Sequence, residues 1–148
     1  MKSLKHFLIY GLLLVLCSCN LSPKLIDYGN DGCHYCKMTI VDKVHGAEIV
    51  TTKGKIYMFD AMECLINFMS EFDKEDIAQY HTNNYLNPEL LIDARKATYV
   101  ICEKIPSPMG AFLTAFRTED AALAIIEDKG GQSYSWNELL EYFENLDK

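Results

Sequence analysis

Basic residues are in short supply in this chain. Lys and Arg number 14 against 21 Asp and Glu, giving a formal net charge of −7. That balance argues against a nucleic-acid partner, because phosphate binding needs a positive surface. The one apolar run near the start, residues 7–16 behind Lys2 and Lys5, falls short of the ~20 residues that a spanning helix requires. A second CxxC is also missing. Cys64 and Cys102 stand alone, so the paired motifs of a structural zinc site are not there. Lys37, not histidine, follows Cys33-x-x-Cys36, which disfavours covalent c-type haem.

What is present begins with an export signal. Two lysines, a short apolar run and a small residue before a cysteine are the pattern of a cleaved lipoprotein leader. Ser18 favours Cys19 over Cys17 as the lipidated residue. Cleavage would remove two lysines and no acid, moving the formal charge from −7 to −9. Several acyl chains on Cys19 would hold the protein on a membrane, where one chain alone is marginal. The acidic balance serves solubility first and also suits gathering cations or docking a basic partner.

The remaining length and a hydrophobic content of 49% suit one ordinary domain or two very small ones. Residues 19–30 read as a tether, with Pro23, Gly29 and Asn30 and little periodicity. Strands are expected over 38–41, 47–51 and 55–59, with turns at Val44-His45-Gly46 and Lys53-Gly54. Asp60 and Glu63 read as a capping pair for a helix whose inward stripe is Met62, Leu65, Ile66, Met69 and Phe72. Residues 73–88 are polar and read as irregular, followed by a short strand over 90–93.

The second half predicts strands at 97–102 and 111–116, interrupted by Pro106-Ser107-Pro108-Met109-Gly110. A helix opening at Thr118 and closing at Gly130-Gly131, a short strand over 132–135 and a final helix over 136–146 complete it. Both halves thus share the order strand, strand, helix, strand. The expected fold is α+β, two small similar ββαβ-type units with antiparallel hairpins backed by helices. Their expected bounds are 31–95 and 96–148, after a leader over 1–18.

Chemistry concentrates in Cys33-His34-Tyr35-Cys36-Lys37-Met38. Thiol and thioether donors select Cu(I) over harder divalent ions. Cys36 and Met38, two apart at an expected strand start, would face one side and share an ion. Cys33 would lie in a loop able to reach the same ion or to bond to Cys36. Met109, held on a bend by Pro108 and Gly110, offers a further thioether. His34, His45 and His81 are weaker candidates, since a lone loop histidine is most often solvated. Two other readings stay open on the residues alone. One is a membrane-tethered thiol-disulfide oxidoreductase using Cys33 and Cys36. The other is a binding module in which Cys33, Cys36, Cys64 and Cys102 form structural bridges.

The lipobox, the short tether, Cys33-x-x-Cys36-x-Met38, and Tyr57-Met58-Phe59-Asp60 leading into a helix with Cys64 together resemble the NosL family of copper-binding accessory lipoproteins for nitrous oxide reductase. Pro108-Met109-Gly110 matches a recurring element of that family. The resemblance implies a periplasm-facing lipoprotein that carries Cu(I) and catalyses nothing. Its implied partners are a membrane ABC transporter and a periplasmic protein that mature the copper centres of the reductase. It also implies two ββαβ-type units akin to those of organomercurial lyase. The ligands it implies are Cys36 and Met38, then Met109, then Cys33.

Overall fold

The structure is a computed structural model and describes residues 21–146. The expected leader and the expected lipidation at Cys19 lie outside these residues. Among the described residues no helix is long and apolar enough to cross a membrane.

Among the described residues, two antiparallel sheets and three α-helices make an α+β fold. The first sheet has the order β2-β1-β3-β4, from β1 (Ala47–Thr51), β2 (Ile56–Phe59), β3 (Ile77–Asn84) and β4 (Asn87–Asp93). The second has the order β6-β5-β7, from β5 (Thr98–Ile101), β6 (Leu113–Phe116) and β7 (Gln132–Tyr134). The helices are α1 (Met62–Met69) after β2, α2 (Glu119–Lys129) after β6 and α3 (Trp136–Leu146) at the end. Strand, strand, helix, strand therefore occurs twice, with β4 and α3 added.

Pairing in register puts Ala47, Phe59 and Thr82 on one face of the first sheet with Ile49, Tyr57 and Tyr80. Helix α1 packs there, with the Phe68 ring 5.1 Å from the centroids of both Tyr57 and Phe59. Glu48, Met58 and His81 share the opposite face with Val50, Ile56 and Gln79. The chain before β1 lies against this face: Gln79 donates to the Leu21 carbonyl at 2.6 Å, and the Lys24 N–H donates to Glu48. The sheets meet where Tyr85 N–H bonds the Ala115 carbonyl at 2.9 Å and Arg117 N–H bonds Asn84 at 3.2 Å.

Three expectations are corrected. The strand expected over 38–41 is only a single bridge, Gly32 to Thr39. The stretch expected to be irregular holds β3, the longest strand, and the first two residues of β4. Its polar residues are used internally, as when buried Asn83 donates to the Lys43 carbonyl and the Tyr28 hydroxyl. Asp60 does not cap α1: Ala61 occupies that position without a side-chain cap, and Asp60 is buried. Thr118 does cap α2, accepting from Ala121 N–H at 3.3 Å.

Candidate metal centre

Residues 33–38 form a reversal between two short paired arms. Gly29 N–H bonds the Ile40 carbonyl at 2.8 Å, Ile40 N–H the Asp31 carbonyl at 2.9 Å, and Cys33 N–H the Met38 carbonyl at 2.8 Å. Lys37 takes a left-handed backbone, φ 66°, to close the turn. Cys36 and Met38 are thus not neighbours on a strand, and the alternation argument for them does not apply.

His34 docks this loop on the outer edge of β2. Its N–H donates to the Met58 carbonyl at 2.9 Å, and its Nδ1 accepts from the Met58 N–H at 3.0 Å. Nδ1 also lies 3.2 Å from the Met58 carbonyl, so this ring nitrogen is turned to the Met58 backbone. The imidazole also stands edge-on to Tyr57, with centroids 5.0 Å apart. Such an edge would otherwise expose unpaired ladder groups.

Because β2 runs straight into α1, docking at Met58 carries the loop to the start of that helix. The Sγ atoms of Cys33, Cys36 and Cys64 come within 4.8 Å of one another. Cys33 and Cys64 are buried and Cys36 is partly exposed; all three, and Cys102, are free thiols. Cys102 lies in a different core cluster, against Val100, Phe116 and Ala122.

The three thiols are unequal. The Cys64 S–H donates to Cys33 and draws the Cys33 pKa down, helped by the backbone N–H groups of Asp60, Cys36 and Tyr35 against the opposing effect of burial. Cys64 is pushed up by the same bond and then by burial. Cys36 is raised, chiefly by burial. Cys33 is therefore the most acidic thiol of the set, its charged form favoured by donors that the turn and the start of α1 aim at it.

Three sulfurs bonded trigonally to one ion at about 2.3 Å, the usual metal–thiolate length, would stand about 4 Å apart. The observed spacing needs little closure to reach this. An all-sulfur set suits a soft metal ion.

Cys33 and Cys36, both read from the sequence, thus meet in one cluster. Met38 follows Lys37 with 52% of its surface exposed, and Met109 keeps 39% on the turn between β5 and β6. His45 is buried against Asp42 and Thr114, at 3.0 and 3.3 Å. His81 lies in β3, its ring 2.9 Å from Gln79. Cys64 is the residue that sequence reasoning left out of the site. Its only local signal is its place in the first turn of α1 after Tyr57-Met58-Phe59-Asp60, and contact with Cys33 depends on the His34–Met58 pairing.

The NosL family model matches residues 27–142. Among solved structures, the crystal structure of the copper chaperone NosL from Shewanella denitrificans superposes with a TM-score of 0.69 at 25% identity, covering 79% of this chain and 94% of that one. A search of curated protein sequences gave no match.

Proposed function

We infer a copper-delivery function from one premise: this chain belongs to the NosL family. It is a Cu(I) carrier of the cell envelope, anchored by lipid at Cys19 and facing the periplasm. Its cargo passes to the copper-site maturation machinery, a membrane ABC transporter with a periplasmic partner protein, and so to nitrous oxide reductase. Cys33, Cys36 and Cys64 hold the ion, and the exposed thioethers of Met38 and Met109 serve binding and transfer. The observation that carries this reading is the convergence of three free thiols, Cys33, Cys36 and Cys64, within 4.8 Å of one another. Thiolate supplies affinity for a soft ion, and thioether, a weaker donor, eases exchange.

The thiol-disulfide reading draws on the same thiols but meets an obstacle in access. Cys33 is only 2% exposed, whereas attack on a substrate disulfide needs a reachable sulfur. Titration of the reduced protein with Cu(I) against a competing chelator tests the proposal. One equivalent is expected to bind. Cys33→Ser and Cys64→Ser should each cost more than the about 10–100-fold typical of losing an outer-shell partner. Retained affinity in both variants would refute the site.

A further inference from the structure

The residue before Cys64 carries a buried carboxyl. Glu63 is 3% exposed, and its Oε1 accepts the hydroxyl hydrogen bond of Ser107. Its other oxygen, Oε2, is buried without a hydrogen-bond partner. Ser107 is itself buried; its hydroxyl oxygen accepts from Leu113 N–H at 3.4 Å, and its carbonyl from Gly110 N–H at 3.0 Å. One carboxyl on α1 thus grips the start of the turn over 107–111. At the apex sits Met109, and Gly110 supplies the left-handed backbone, φ 81°, that turns the chain back.

Burying a carboxyl is costly, and an apolar side chain would pack α1 against the second sheet at less expense. What an apolar residue cannot do is fix the turn through directed hydrogen bonds. The helix that presents Cys64 and the turn that presents Met109 are joined here, one residue from the first and two from the second. The geometry points to Glu63 and Ser107 as positioning residues that hold the Met109 thioether for the ion gripped by the three thiols.

This inference rests on the copper-carrier reading, and its test separates the two. The full-length protein in detergent would be compared as wild type, Ser107→Ala, Ser107→Thr, Met109→Leu and the Ser107→Ala/Met109→Leu double variant. Cu(I) affinity would be read by chelator competition, and sulfur coordination by X-ray absorption. Ser107→Ala should weaken binding about 10-fold or more, as for other outer-shell partners, and remove one sulfur scatterer. Ser107→Thr, which keeps the hydroxyl, should restore both. The double variant should be no weaker than Met109→Leu alone. Additive losses, or a Ser107→Ala loss with Met109→Leu silent, would overturn the positioning role while leaving the thiol site standing. Absence of Cu(I) binding by the wild type would overturn the carrier reading and this inference with it. Should Ser107→Ala unfold, Glu63→Gln enters the same cycle with the same expectations.

Discussion

Replacing Glu48 with glutamine is expected to stabilise the protein, and to do so more as the pH rises. Glu48 lies in the middle of β1 with no exposed surface. Directly across it in the sheet are Met58 and His81. Its carboxyl oxygens accept from the Lys24 N–H at 3.1 and 3.3 Å. Burial raises its pKa from 4.5 to about 7, partly offset by the Lys24 N–H and the Lys24 charge, with Asp31 adding to the rise. The folded state therefore keeps a proton that the unfolded chain gives up above 4.5. Between these values stability falls with increasing pH, because the unfolded state binds fewer protons. Each tenfold difference in proton affinity between the two states is worth about 1.4 kcal/mol, so at most about 3 kcal/mol is lost by pH 8. Glutamine has no proton to lose. Denaturant unfolding of wild type and Glu48→Gln at pH 5 and pH 8 would measure this, with the gap between the two widening in favour of the variant. His81, whose pKa is lowered by burial, is a direct cross-strand neighbour and can couple to Glu48, so the comparison is repeated in a His81→Gln background. A gap that stays constant, or a variant less stable at pH 8, would refute the reasoning.

Removing the His34 ring by His34→Ala should leave the Met58 N–H unpaired and cost about 1–3 kcal/mol; hydrogen exchange at Met58 should quicken, and unchanged protection there would contradict the docking geometry. Gly131→Ala should destabilise by about 1–3 kcal/mol or more, since φ is +106° and a Cβ would meet the Ile101 carbonyl oxygen at 2.6 Å; thermal melting would show it. Conversely, Gly29→Ala meets nothing within 4 Å, so its cost should be confined to backbone strain and fall below that of Gly131→Ala.

Where local pattern and tertiary role agree, the fold was legible from the chain alone. The turn around Lys53-Gly54, helix α1 and every element of the second half follow from alternation, helical spacing and Gly or Pro punctuation. Strand β3 did not announce itself because both its faces are at least partly covered and one is polar. Gln79 and Asn83 look like loop residues until the segments that accept their hydrogen bonds, at Leu21 and Lys43, are in place. The metal loop failed as a strand for a related reason. The β-prone residues 38–41 pair only with the arm 29–33, not with a sheet. The site was half visible: two cysteines in one motif declare themselves, whereas Cys64 joins them only through a hairpin, a docked histidine and the entry to a helix.

That mode of assembly bears on the proposed transfer of copper. The ion's anchors come from two pieces of chain, a short loop and a helix start, joined through the paired contacts of His34 with the Met58 backbone. Holding the loop there keeps Cys33 within reach of the Asp60 N–H and the Cys64 S–H that favour its thiolate. Loosening it would withdraw those donors and weaken the thiolate's grip together. Cys36 and Met38 ride on the same loop and are the more exposed sulfurs, so an acceptor that engages the loop meets them first. On the carrier reading, affinity and release are then set by one small structural unit, and His34→Ala should weaken Cu(I) retention as well as stability. Chelator-challenge release rates for the loaded protein would show this, and a variant that unloads no faster than wild type would break the link.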